Sequence, residues 1–528
     1  MAGRTWVAVI LCCAIWLVYL QWFAPPSVRQ NPPAATNGAE TSVAQTPSTA
    51  VSAPAEAPRG LFAMTPPGIT NGKTISNQKQ EVTFSAAGGR PAEIKVLGYH
   101  TTIDKNSPPI APVTPNTHSF ATLFSDALLR GFEGGAYEGV ASAAGAQYSR
   151  SEKGVTFKKE YAQQPDSYFI DAKYEITFPS GGKNDWGYLI LPLGAKDLEF
   201  NANEPIKAWE VVGLQNDKGI RHVVESLKEE EEVHQGNTTW FAFGNRYFAS
   251  AIINQSKMNP DIVFVKKPEF HGGYLRFPLR VREGENKIEF SFKLYSGPKD
   301  YAELSKAPQL NRLIDYGMFA IFAVPLLKAM KFFHSLIPNY GVAIILLTLL
   351  VRLLLYPLQA KSVRSMKEMQ KLQPKIAALR ERYKDDMTRF NQEQMALFKA
   401  HKVNPMGGCL PILVQLPILF ALYSVIGNSI ELFHAPFFGW IKDLSVKDPL
   451  YIYPVLMGIS MFFQQKLTPS AGMDPAQQKV MMVMPVLFSF MMIGLPSGLT
   501  MYIFVSTILG IAQQVLTRDK AATPAIAT

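Results

Sequence analysis

The sequence predicts a polytopic α-helical membrane protein of about six spans that carries an all-β domain outside the bilayer. Three observations predict it. The last third of the chain holds a succession of apolar runs, each near the ~20 residues that a helix needs to cross a bilayer. Residues 78–298 instead alternate with period 2, are rich in β-branched and aromatic residues, and are broken by Gly, Asn and Pro. Lys and Arg concentrate in one loop between apolar runs, where positive-inside bias would place them.

Composition agrees with that division. Of 528 residues, 47% are hydrophobic and the formal net charge is +10. The mean hydropathy of +0.03 averages a polar first part and a very apolar last third, and the sequence pI is 9.2. The basic excess follows topology, so it does not by itself imply nucleic acid. Cys12, Cys13 and Cys409 all lie in apolar stretches and offer no disulfide framework or metal spacing. The eight histidines are scattered singly, without HExxH or a paired arrangement, so no metal site and no cofactor are expected.

Taken in order, residues 1–24 read as an N-terminal transmembrane anchor, with an apolar run from Trp6 to Phe23 behind Arg4. Trp22 and Phe23 stand where small residues should precede a signal-peptide cleavage site, so the anchor is read as uncleaved with its N-terminus in the cytoplasm. Residues 25–77 are rich in Pro, Ala and Thr and read as an extended, disordered linker. Residues 78–305 read as a β-sandwich domain for docking or spacing, because they carry no triad, carboxylate pair or glycine-rich phosphate loop. The run Glu229–Glu232 reads as a solvated loop within it. Residues 306–338 read as an interfacial amphipathic helix: their unbroken apolar part, Tyr316–Leu327, is too short to span. Counting that stretch as a span would also put the most basic loop outside.

Residues 339–358 form a span that contains one full charge, Arg352. At ~1.5 Å per residue, Arg352 lies roughly 18 Å from Tyr340 and roughly 13 Å from Lys361. An arginine there costs about 2.5–3.5 kcal/mol on insertion scales. Thr348, Arg352 and Gln359 share a helical stripe, either a polar seam facing protein or water or an arginine that snorkels to the inner interface. Residues 359–407 read as a cytoplasmic basic helical hairpin, turning near Asp385 and Asp386, with Met369, Leu372, Ile376, Leu379 and Tyr383 stepping by three and four. Residues 408–517 hold four further spans, Gly408–Ile430, Leu450–Leu467, Val480–Leu495 and Leu499–Leu516, before a short cytoplasmic tail at 518–528.

The later spans carry no Asp or Glu in their apolar interiors. Ion-coupled transporters usually need such groups at the midplane. Arg352 therefore sits among neutral polar residues, Thr348, Gln415, Ser424, Ser460, Gln464, Gln465, Thr500, Ser506 and Gln513. That pattern predicts a wet, positive groove in which an anionic group of a guest could pair with the arginine. The run VMMVMPVLFSFMMIG, with Met481, Met482, Met484, Met491 and Met492, is expected beside it as an adaptable apolar surface.

These residues resemble the YidC membrane protein insertases, in the Gram-negative form with a large periplasmic domain. The resemblance is carried by VRLLLYPL, LQPKIAALRERY, NPMGGCLPILVQLPI, WIKDLSVKDP, DPAQQKVM and LPSGLTMYIFVS. It is specific over about Tyr316–Leu516 and weaker over the β domain. It implies a five-span core around a hydrophilic groove that is closed to the periplasm and open to the cytoplasm and lipid. It also implies a periplasmic supersandwich similar to sugar mutarotases. Arg352 would attract acidic residues of a translocated segment, whose apolar helix leaves along the third and fifth spans. By position, Thr348, Leu416, Pro417, Leu419, Tyr502 and Ile503 match places of substrate contact, Gln415 joins them in the expected groove as a neutral polar residue, and Tyr356 and Asp474 match places of ribosome contact. Ile503 departs from an aromatic pair found in some relatives.

The expected function is an inner-membrane insertase and folding chaperone, without catalytic residues, cofactor or metal. Its expected partners are nascent membrane proteins, the Sec translocon, the ribosome and the lipid bilayer. The alternative is a small-solute secondary transporter with a periplasmic binding domain.

Overall fold

The computed structural model describes residue 62 and residues 68–180, 183–196, 209–228, 230–384, 386–401, 410–467 and 475–516. The expected anchor, most of the linker, the C-terminal tail, all three cysteines and Asp474 lie outside the described residues. The chain divides into two compact units, with the break between Ile314 and Asp315.

The first unit is built from three antiparallel sheets. Strands β1 (Lys73–Ser76), β2 (Gln80–Ser85), β3 (Arg90–His100) and β4 (Pro109–Val113) form one in that order. A five-stranded sheet runs β13 (Glu231–His234), β16 (Asp261–Lys267), β17 (Phe270–Arg280), β10 (Asp185–Ala195), β5 (Leu123–Phe124). The nine-stranded sheet begins at β12 (Lys218–Val223) and continues through β11 (Glu210–Gln215), β14 (Thr238–Gly244), β15 (Phe248–Asn254) and β18 (Lys287–Pro298). It ends with β9 (Phe169–Thr177), β8 (Val155–Gln163), β7 (Gly145–Glu152) and β6 (Glu138–Ser142). The large sheets face each other across one core, where Phe241 of β14 meets Phe264 of β16, and Phe277 of β17 meets Phe290 and Phe292 of β18.

Strand β8 shows how the sequence sets the faces. In VTFKKEYAQ every second residue is buried, from Val155 to Gln163, which places Lys159 among the inward positions. Its ammonium is wholly enclosed and donates to the Gly88 carbonyl and the Thr122 hydroxyl, at 2.5 and 2.7 Å. Rings of Tyr137, Phe157 and Tyr174 lie 4.7–5.5 Å from it. Arg90, also buried, donates to the carbonyls of Pro115, Thr117 and Ser119. Among the described residues no carboxylate pairs with either cation. Burial, helped by the Arg90 charge, pushes Lys159 well below its ordinary pKa.

Two expectations need correction here. Order begins before residue 78: β1 pairs with β2, and Phe62 is buried, its ring stacked 4.0 Å from Phe270. One large aromatic and a four-residue strand suffice to tie down part of a Pro-rich stretch. The acidic run is not simply a solvated loop, because Glu231 and Glu232 lie in β13 and Glu231 accepts from Lys267 Nζ at 2.6 Å. Cross-strand pairing overrides the poor strand propensity of glutamate.

The second unit is helical. Helices α1 (Ala320–Leu336), α2 (Tyr340–Lys371), α3 (Gln373–Arg382), α4 (Met387–Ala400), α5 (Leu410–Asn428), α6 (Ile452–Leu467), α7 (Pro475–Met491) and α8 (Ser497–Leu516) follow in order. Asn339 caps α2, its side chain accepting from Val342 N–H at 3.1 Å. Helix α2 passes Pro357 without ending and continues 13 residues beyond the expected span limit, from residue 359 to Lys371. In α1 the stripe Ala323, Leu327 and Met330 is buried against α2 and α5, while Ile321, Phe332 and Leu336 are exposed. By length and composition Gly317–Leu336, Tyr340–Ser362 and Ser497–Leu516 are each long and apolar enough to cross a membrane. The hairpin forms: Leu372, Ile376, Phe390 and Phe398 make its small core, and the Asp386 carboxylate caps α4 by accepting from Arg389 N–H at 3.0 Å.

A polar seam around Arg352

Helix α8 is the centre of the second unit and packs against α2 and α6. At one end the contact is dry and close. A Cβ at Gly498 would lie 3.3 Å from Ile344 of α2, Ile426 of α5 and the Leu444 carbonyl of the loop before α6. That loop folds back over the helix ends. Asp443 accepts from His434 Nδ1 at 2.9 Å and from Ser445 N–H at 2.8 Å, and Ser497 Oγ donates to the Asp443 carbonyl at 3.0 Å. Asp448 accepts from Trp440 Nε1, Leu450 N–H and Tyr453 N–H at 3.1, 3.0 and 2.8 Å, which anchors the start of α6.

Toward the other end polar groups replace this apolar contact. Arg352 Nε donates to Ser506 Oγ at 3.0 Å, and one terminal nitrogen donates to the Ser506 carbonyl. The other donates to Gln359 Oε1 at 3.2 Å. Among the described residues no carboxylate pairs with the guanidinium, so its charge is hydrogen-bonded but not neutralised. Gly510, one turn beyond Ser506, makes the room. A Cβ there would stand 2.6 Å from Gln464 Nε2 of α6 and 3.3 Å from Arg352. Tyr502, Ser506 and Gly510 step by four along α8, so one stripe supplies a phenol, a hydroxyl and a gap. One turn before Ser506, the Tyr502 hydroxyl accepts from Gln415 Nε2 at 2.8 Å.

The predicted site residues thus separate. Arg352, Gln415 and Tyr502 carry the seam's hydrogen bonds. Thr348 is fully buried one turn from Arg352, and its hydroxyl donates back to the Ile344 carbonyl at 2.6 Å. Ile503 is buried beside Tyr502 in sequence, Pro417 and Leu419 are half-buried on α5, and Leu416 is exposed. Tyr356 is exposed on α2. Ser506 was expected among the neutral polar residues around Arg352, whereas Gly510 was absent from the expected site, although its spacing of four from Ser506 was the available signal. The methionine run does not flank the arginine closely. Helix α7 packs chiefly on α6 and exposes Met482, Met484 and Met491, whereas Met457 and Met501 are buried.

A β-sandwich domain followed in the chain by a unit of long apolar helices, with an unneutralised arginine in a neutral polar seam, defines a polytopic membrane protein with a large domain outside the bilayer. The family described as 60Kd inner membrane protein matches residues 332–523, and the YidC periplasmic domain family matches residues 146–329. A membrane protein insertase YidC of Geobacter metallireducens is 36% identical over 97% of this chain and 98% of its own length. That of Geotalea uraniireducens is 42% identical over 69% of each chain. A crystal structure of an active YidC insertase aligns with 87% of this chain and 97% of its own, at 19% identity and a TM-score of 0.37. The chain belongs to the YidC membrane protein insertase family. It is an inner-membrane protein, and the solute-transporter alternative finds no support among these relatives.

Proposed function

We propose that this chain inserts nascent membrane proteins into the lipid bilayer by drawing short polar segments into the seam around Arg352. The unneutralised guanidinium carries this reading. A guest carboxylate would replace neutral hydrogen bonds with a charge-assisted pair, worth a few kcal/mol in a partly dry site (about 4 kcal/mol at 4 Å for an effective dielectric of 20). The dry end of α8 and its folded loop then bound the remaining apolar barrier, and partition of the guest's apolar helix into lipid drives completion. No cofactor or covalent step enters.

Thr348, Gln415, Leu416, Pro417, Leu419, Tyr502 and Ile503 would contact the passing segment. Both termini and the hairpin would be cytoplasmic, with the basic hairpin, Tyr356 and Asp474 meeting the ribosome, and the protein would act alone or beside the Sec translocon.

The test is insertion of a single-span protein with an acidic N-terminal tail into liposomes holding only the purified chain, read by protease protection of the tail. Arg352→Ala should lower protection of the acidic tail at least tenfold and that of a neutral tail much less, with Arg352→Lys retaining most activity. Equal protection of the acidic tail by wild type and Arg352→Ala would refute the electrostatic role.

A further inference from the structure

We propose that the periplasmic domain binds a divalent zinc ion between its two large sheets, through His222, Glu232 and His234. His222 lies on β12, the edge of the nine-stranded sheet, and Glu232 and His234 lie on β13, the edge of the five-stranded sheet. Positions 232 and 234 share one face of β13 because side chains alternate along a strand. His234 Nε2 stands 3.0 Å from Glu232 Oε1, and His222 Nε2 stands 3.6 Å from the same oxygen. All three ligand atoms lie within 4.8 Å of one another.

Those separations suit the metal. Zinc bonds of about 2.0–2.1 Å in a tetrahedron place neighbouring ligand atoms about 3.4 Å apart, and the two measured separations bracket that value. Two imidazoles and one carboxylate are a donor set that zinc accepts, leaving a fourth position for water or a further ligand. His234 Nε2 is buried and makes no hydrogen bond among the described residues, despite the carboxylate beside it. The nitrogen thus faces the Glu232 carboxylate at ion-pair distance without hydrogen-bond geometry, and a metal between them would satisfy both. The cluster also has a rigid floor. The ring of Phe264, a core residue, packs 5.4 Å from the His222 ring and 5.0 Å from the His234 ring. Gln215 Nε2 donates to the His234 carbonyl at 3.2 Å and steadies the strand that carries two of the ligands.

The ion would join two strands that share no backbone ladder, so binding should also stabilise the domain. The tag-free full-length chain in detergent, titrated with zinc against a chromophoric chelator, should bind one equivalent that His222→Ala and His234→Ala each weaken at least a hundredfold. Zinc should raise the thermal unfolding midpoint of the wild-type β domain and of a His271→Ala control, but not of the two variants. No zinc binding by wild type, or binding undiminished in both variants, would overturn the proposal. Copper bound to the unaltered chain supplies a readout that does not depend on variant folding. Electron paramagnetic resonance should show coupling to two imidazole nitrogens, and coupling to fewer would overturn the site as drawn.

Discussion

Arg352 and Ser506 meet twice, once through the serine hydroxyl at 3.0 Å and once through its backbone carbonyl. The carbonyl stays within reach when the side chain at 506 is small and is blocked when it is bulky, so the two contacts can be separated by substitution. Ser506→Ala should leave Arg352 in place and cost about 1 kcal/mol at most, whereas Ser506→Leu should displace it. Insertion of an acidic-tailed guest should therefore fall only a few-fold with alanine and at least tenfold with leucine. Similar losses in both variants would sink the idea that the carbonyl positions the charge.

Gly510 is the second lever on the same charge. Alanine there meets Gln464 Nε2 at 2.6 Å, the movable end of a flexible side chain, so Gly510→Ala should be nearly silent. Gly510→Leu carries atoms into the space that Arg352 and Gln464 share, and insertion of polar-tailed guests should drop sharply while the protein still unfolds at its usual temperature.

Lys159 predicts a pH dependence for the β domain. Its pKa in the fold is pushed well below the ordinary 10.5 by burial first and by Arg90 second. Between those two values the unfolded chain binds the extra proton, so stability should rise with pH through that window and level off above it. The slope from this one group is at most about 1.4 kcal/mol per pH unit. Burial raises Tyr161 and Tyr137 above 10.0, so their titration should reverse the trend at more alkaline pH. Denaturant unfolding monitored through the domain's tryptophans from about pH 7 to 9.5 checks this, avoiding the ordinary tyrosine pKa of about 10. Lys159→Met should flatten the rise. An unchanged slope in that variant would assign the dependence elsewhere.

Asp448 should matter for the loop between α5 and α6. It accepts three hydrogen bonds, from Trp440, Leu450 and Tyr453. Asp448→Ala leaves these donors unpaired at roughly 1–3 kcal/mol, and protease should then nick the 433–451 loop at least several-fold faster. Asp386→Ala, which removes only the α4 cap, should cost about 1 kcal/mol and loosen the hairpin alone.

Much of this was legible in the sequence because periodicity is a local property. Alternation in VTFKKEYAQ places Lys159 inward, steps of three and four build the hairpin core, and Arg352 announces itself as a charge in an apolar run. The rest depends on which elements become neighbours. His222 and Glu232 belong to different sheets, so histidines that look scattered along the chain converge only after the sandwich closes. Phe62 gives no periodic signal because it is a single anchor in a Pro-rich stretch. The methionine run was expected near Arg352 on composition alone, and composition does not say which helix α7 packs on.

Helix α2 joins the seam and the hairpin in one hydrogen-bonded column of 32 residues, about 48 Å long. Met369 and Leu372, at its basic end, pack into the hairpin core, while Arg352 stands near its middle. The hairpin core and the guanidinium therefore stand on one continuous helix. Pro357 lies between them and lacks an N–H, so the column bends most easily there. Rotation of the hairpin would reach the guanidinium only as far as this proline transmits it.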